Sequence, residues 1–177
     1  MTTGGKEDGK MKRFLLGLIL AATALATAAE IDVDGKFRDF SRTWRTSSRR
    51  NGTAELISDK GKNFVHLSSA DGPRGGIGVY TAGGVAAVRG DRISVAVDAS
   101  GGPLEIALYE YGAKKSTGTV RKSFPKTQDR ITRRVDFFVK NENTDTVRVA
   151  FSVKRGAAAV ISDVKVDMQS ARKGGNE

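Results

Sequence analysis

Apolar and polar residues alternate with period two through most of the chain after Glu30, and no run longer than about ten residues carries the 3.6-residue period of a helix. Residues 63–68 (NFVHLS) and 76–81 (GIGVYT) predict short strands. Residues 91–99 (DRISVAVDA) put Ile93, Val95 and Val97 on one face and Arg92, Ser94 and Asp98 on the other. In 104–111 (LEIALYEY), Leu104, Ile106 and Leu108 oppose Glu105, Ala107, Tyr109 and Tyr111. Residues 130–140 turn Ile131, Val135, Phe137 and Val139 inward, with Arg134, Asp136 and Phe138 opposite. Residues 146–154 repeat the scheme through Val147, Val149, Phe151 and Val153, and 159–168 send Val164 and Val166 to the core.

Breakers separate these runs. Ser100-Gly101-Gly102-Pro103, residues 141–145 (NENTD) and Arg155-Gly156 carry turn chemistry and sit at hairpin spacing. Glycine clusters at 71–76 and 82–84 punctuate the earlier region. The pattern predicts an all-β fold: an antiparallel β-sandwich over residues 30–170, with a polar tail at 171–177 and no internal repeat.

The N-terminus reads differently. Lys12 and Arg13 precede an apolar run from Phe14 to Leu25, and small residues at 26–29 suit signal peptidase. From Phe14 to Ala29 there are 16 residues, fewer than the ~20 of a membrane-spanning helix. This predicts a signal peptide within 1–29 and a periplasmic or extracellular protein; the alternative is a retained anchor. Met11 reads as the natural start, with residues 1–10 a polar extension.

Removing 1–29 takes away four cations and two acids and leaves 26 Lys+Arg against 18 Asp+Glu, a net charge of +8. Such a surface favours acidic polysaccharide, anionic lipid or nucleic acid through attraction that salt screens. Export and the spread of the cations argue against nucleic acid. Arg42, Arg45, Arg49 and Arg50 form the densest group. The chain has no Cys, which excludes thiol catalysis, iron–sulfur clusters and cysteine zinc sites.

An early Asp-Gly-x-Phe (Asp34 to Phe37), a lone Trp44, an NFVHLSS strand, a Val-Arg-Val-Ala-Phe strand and a closing Ile-Ser-Asp-Val-Lys-Val follow one another. This order resembles the carbohydrate-binding-module and galactose-binding-like jelly rolls of secreted bacterial proteins. The resemblance spans most of residues 31–168 and rests on strand order and two loose motifs. It implies an eight- to nine-stranded jelly roll, glycan binding through aromatics on a concave face or edge loop, and a structural calcium near the chain ends. The chain departs from it in having a single Trp at a position such folds bury.

Tyr109 and Tyr111, two apart on one strand, set their rings on one face roughly 6.5–7 Å apart. Glu105 shares that face, Tyr80 lies on a presumed outer face, and Arg134, Asp136 and Phe138 join them if their strand belongs to the same sheet. Together these seven residues predict a sugar-stacking groove; ordinary cross-strand packing is the alternative. Asp32, Asp34 and Asp163, with Asp167 nearby, are the candidate calcium ligands.

His66 is the only His, and no nucleophile-elbow glycine pattern accompanies it. Glu105 and Glu110 fall on opposite faces by parity, a poor pair for glycoside hydrolysis. The glycines at 75–78 lack the Lys-Ser/Thr and helix of a phosphate cradle. The reading is an exported non-catalytic domain that binds carbohydrate or acidic polysaccharide. The alternative is an envelope structural domain whose partner is another protein.

Overall fold

The computed structural model describes residues 28–47, 52–71 and 76–171. The apolar run expected to be a signal peptide, the Arg49-Arg50 pair, the turn at 72–75 and all of the polar tail but Ala171 lie outside them. Among the described residues no helix is long and apolar enough to cross a membrane.

Ten strands and one helical turn follow in order. They are β1 (Ala29–Ile31), α1 (Phe40–Thr43), β2 (Trp44–Thr46), β3 (Gly52–Asp59), β4 (Lys62–Ser69), β5 (Ile77–Thr81), β6 (Val85–Ala86), β7 (Arg92–Gly112), β8 (Lys115–Phe124), β9 (Thr127–Phe138) and β10 (Thr146–Gln169). Every pairing is antiparallel.

The architecture turns on β7 and β10, which run side by side and cross from one layer of a sandwich to the other. Residues 104–112 of β7 pair with β8 and with 146–153 of β10, which in turn pairs with β5 and, through it, with β2. This is sheet I. Residues 92–101 of β7 pair with β9 and with 158–169 of β10, which then takes β4, and beyond it β3, on its far side, with β1 beside its last residues. This is sheet II. The fold is an all-β antiparallel sandwich, as the alternation predicts.

The crossing points correct one expectation. Ser100–Pro103 and Arg155-Gly156 are corners inside continuous strands, not hairpin turns. At the first corner the buried positions change parity, from Ile93, Val95, Val97 and Ala99 to Leu104, Ile106 and Leu108. Gly101 bends there with φ +80°, and a Cβ on it would meet the Ala158 carbonyl oxygen at 2.4 Å. A second parity change on β10 falls at Asp163, with φ 48°, between Ile161 and Val164.

One core joins the layers. Phe37, Trp44, Ile93, Ile106, Phe137, Phe151 and Ile161 are buried to 1% exposure or less within it. Trp44 packs on Phe37 and Phe151 at ring-centroid distances of 5.3 and 5.8 Å, so the only Trp is structural. Ile131, expected inward, is 38% exposed because it lies on edge strand β9 close to the corner. The alternation along the chain predicts none of β1, β2, β3, β6 and β8. In β3 and β8 nearly every side chain is exposed or half-buried, so backbone pairing, which leaves no apolar trace, makes them strands.

Candidate functional site: the outer face of sheet I

On the core-averted face of sheet I, register places Arg45 beside Tyr80, Tyr80 beside Ala150, Ala150 beside Ala107, and Ala107 beside Arg121. One rung along, Arg148 stands opposite Tyr109, and Thr146 opposite Tyr111. Glu105 pairs with Ser152 on the other side of the alanines. Four predicted residues, Tyr80, Glu105, Tyr109 and Tyr111, therefore share one surface.

Ala107 and Ala150 point away from the core and do not belong to it, yet they are only 2% and 6% exposed. A methyl group hidden on an outer face lies beneath taller neighbours. Arginines and tyrosines flank these two small residues and make walls around a low floor. The Arg148 guanidinium lies 5.2 Å from the Tyr111 ring and 5.9 Å from the Tyr80 ring, within cation–π reach of both. The Arg121 guanidinium sits 3.7 Å from the Glu105 carboxylate. The phenolic hydroxyls of Tyr80, Tyr109 and Tyr111 have no hydrogen-bond partner among the described residues.

Glu110 lies between the two tyrosines of β7 but faces inward and is fully buried. Its carboxylate accepts from the Lys140 N–H (3.2 Å), the Asn141 N–H (3.0 Å), the Asn141 side-chain amide (3.0 Å) and the Thr144 hydroxyl (3.0 Å). Burial pushes this carboxyl up, but the Asn141, Lys140 and Thr144 donors together hold it below the usual carboxylate range. It ties the 140–144 turn beneath the strand that carries Tyr109 and Tyr111.

Arg134, Asp136 and Phe138 are not part of this surface. Strand β9 belongs to sheet II, where they stand opposite Ala96, Ser94 and Arg92 on that sheet's own outer face. The seven-residue groove therefore divides into four residues and three. The Asp136 carboxylate takes hydrogen bonds from Arg92 Nη2 and Ser94 Oγ, both at 2.6 Å, and these bonds hold it below its ordinary range. Phe138 is 56% exposed.

The aspartates that the sequence offers for calcium are engaged in different ways. The Asp34 carboxylate accepts from the Arg38 N–H (3.0 Å), the Asp39 N–H (2.7 Å) and the Thr43 hydroxyl (3.1 Å), while Asp32 Oδ1 accepts from the Asp34 N–H. Burial alone raises the Asp34 carboxyl, and these donors bring it below its usual range. Glu30, Asp32 and Asp163 line one hollow together with Lys36, Arg38 and Lys165, so its acids and bases are balanced. Among the described residues no three acidic or His groups gather closely enough to hold a metal. Asp34 instead ties down the turn that leads into α1 and Trp44.

Arg148 and the alanine floor were missing from the predicted site. The alternation of 146–154 already puts Arg148 outward, and reading the cations together with the tyrosines finds it. Arg121 was out of reach because β8 carries no alternating signal.

No protein-family model matches the chain, and no curated protein matches it. Solved structures do. The family 11 carbohydrate-binding module of the cellulase Lic26A-Cel5E from Clostridium thermocellum superposes with TM-score 0.56 at 12% identity, covering 79% of this chain and 95% of the module. The fold is the jelly roll of the carbohydrate-binding modules. A cyclase from Fischerella sp. TAU, solved in complex with 4-(1H-indol-3-yl)butan-2-one, superposes with TM-score 0.56 at 12% identity, covering 82% of this chain and all of the cyclase. The enzymatically active domain of bacteriophage CBA120 tailspike protein 4 gives TM-score 0.57 at 10% identity. There the match takes in 75% of this chain but spans only 20% of the tailspike chain. One sandwich thus serves both binding modules and enzymes, so function has to be argued from the surface.

Proposed function

We propose that the protein is an exported, non-catalytic carbohydrate-binding domain whose ligand lies across the outer face of sheet I. The observation that carries this reading is the convergence of Tyr80, Tyr109 and Tyr111 around the Ala107–Ala150 floor, with Arg148 between two of the rings. Sugar rings present apolar C–H faces that pack on aromatic faces, and their hydroxyls accept hydrogen bonds from the phenols and Arg148 and donate to the Glu105 carboxylate. A floor of alanines lets a flat ring settle between the walls.

Chemistry on the glycan fits this surface poorly. A pair of catalytic carboxyls needs to flank one bond. Glu105 is on the outer face beside Arg121, whereas Glu110 is inside and held by four hydrogen-bond donors. Export is inferred from the N-terminal sequence pattern.

Affinity electrophoresis against a panel of soluble plant and microbial polysaccharides tests the proposal. Wild type is expected to be retarded by at least one of them, and the Tyr109→Ala/Tyr111→Ala variant to run freely at an unchanged Tm. Equal retardation of the two proteins overturns it.

A further inference from the structure

The cations are spread along the chain, but among the described residues the net positive charge is concentrated on one side of the sandwich. Residues 113–134 hold eight Lys or Arg and a single acid, Asp129, a net +7 set against +10 for the entire chain. They form β8 and most of β9, edge strands of sheets I and II that each pair with β7 alone. Lys115, Arg121, Lys122, Arg130 and Arg134 are exposed. Of the eight cations only Arg121 has a carboxylate within ion-pair distance among the described residues.

Two of the guanidiniums are fixed in place. Arg133 donates to the Pro125 carbonyl (3.1 Å) and the Thr127 hydroxyl (3.3 Å) and lies over the Phe124 ring at 5.4 Å, closing the gap between the strands. Arg130 lies over Phe64 at 4.3 Å. Charges on edge strands also discourage edge-to-edge pairing. That role is met by charges of either sign, and here the sign is uniform.

The tyrosine face carries the same bias. Its charged groups are Arg45, Arg121 and Arg148 against Glu105 alone, and Arg121 belongs to both surfaces because it lies on β8 and points outward beside Ala107. A neutral sugar offers hydroxyls that donate as well as accept. Guanidiniums and ammoniums only donate, so the complementary ligand is rich in acceptors and negative charge.

We infer that the ligand is an acidic polysaccharide, a polyuronate or sulfated glycan, stacked on the tyrosines and continuing over Arg121 along the basic β8–β9 edge. This rests on the carbohydrate-binding reading above and narrows it. At ~3.3 Å per residue the ten residues of β8 run about 33 Å, the span of several sugar rings. Nucleic acid is the other polyanion such an edge attracts, and the tyrosine face is what separates the two.

The test is a titration of the full chain with polygalacturonate, xylan, mixed-linkage β-glucan and double-stranded DNA at low and moderate salt. The variants are Lys115→Gln/Arg121→Gln/Lys122→Gln/Arg134→Gln and Tyr80→Ala/Tyr109→Ala/Tyr111→Ala, with Arg121→Gln alone as a milder form. Polygalacturonate is expected to bind at least about tenfold more tightly than the neutral glycans at low salt. The four-charge variant is expected to lose about tenfold and most of the salt dependence at an unchanged Tm, and the tyrosine variant to lose binding at both salts. Tighter binding of xylan or β-glucan than of polygalacturonate overturns the inference and leaves carbohydrate binding standing. No retention of any glycan overturns both. Equal affinity for DNA and polygalacturonate, unaltered by the tyrosine changes, overturns the inference in favour of unselective polyanion attraction.

Discussion

The two outer faces of the sandwich are built on the same two strands and use their polar groups in opposite ways. On sheet II the side chains bind one another: Asp136 with Arg92 and Ser94, and Asp98 with Thr132, all at 2.6 Å. Among the described residues two buried atoms there, Arg92 Nε and Ser162 Oγ, lack a partner. On sheet I no described residue bonds the three tyrosine hydroxyls, and Ala107 and Ala150 keep the middle low. A ligand arriving on sheet II must first break good hydrogen bonds, whereas on sheet I it meets phenolic hydroxyls that no described residue bonds. This difference supports the proposal of sheet I as the binding face.

The comparison is broken most directly by exchanging the losses. Replacing Tyr80, Tyr109 and Tyr111 with Ala is expected to weaken glycan binding by two to three orders of magnitude, at roughly 1 kcal/mol or more per ring. Replacing Asp136 and Phe138 with Ala is expected to change it by less than about twofold. Isothermal titration with the best glycan reads both, and a larger loss from the second variant reverses the assignment.

Next in size is the support beneath the tyrosines. Glu110→Ala strands the donors of Lys140, Asn141 and Thr144 and is expected to cost about 2 to 3 kcal/mol, lowering Tm by about 6 to 12 °C. Hydrogen exchange should speed up at 140–145 and leave the strands of sheet II protected. Uniform loosening of both sheets would mean that Glu110 does not act locally.

Acid gives a smaller, graded effect. The Glu110, Asp34 and Asp136 carboxyls are depressed in the folded protein, which therefore binds fewer protons than the unfolded chain. Their stabilisation is complete above the ordinary carboxylate range and is lost as pH falls through it toward the lower folded values. Urea midpoints measured from neutral pH downward are expected to decline in that window, and less steeply in Glu110→Gln. An identical slope in the two proteins would remove Glu110 from the acid response. Smallest of all, Asp136→Asn loosens a half-exposed pair and is expected to cost no more than about 1 kcal/mol without affecting binding.

Strands whose one face is buried were legible. Leu104 to Leu108 and Val147 to Val153 alternate because one side meets the core, and the same parity sets Tyr109 and Tyr111 outward and Glu110 inward. Strand β8 was not legible, since KSTGTVRKSF sits at an edge and is held by its backbone. Partnership between strands was hidden for another reason. Period two says which face a residue takes but not which sheet it joins, so Phe138 and Tyr111 looked like neighbours while lying on different layers. Gly101 and Gly156 read as chain reversals because a corner and a turn ask the same of a glycine, a positive φ. The fate of the aspartates was invisible too: backbone N–H groups at Arg38 and Asp39 carry no mark in the sequence.

The passage of β7 and β10 through both layers has a mechanical consequence. In a sandwich whose sheets exchange no strand, the layers meet only through side chains and are able to slide or part. Here each layer contains a stretch of the same two strands, hydrogen-bonded to each other on both sides of the corner. Parting the layers would mean straightening that two-stranded ribbon at Gly101 and Gly156, which strips the core from both at once. The tyrosine platform is thus mounted on the two strands that also carry the opposite layer, so the layers cannot part without disturbing it.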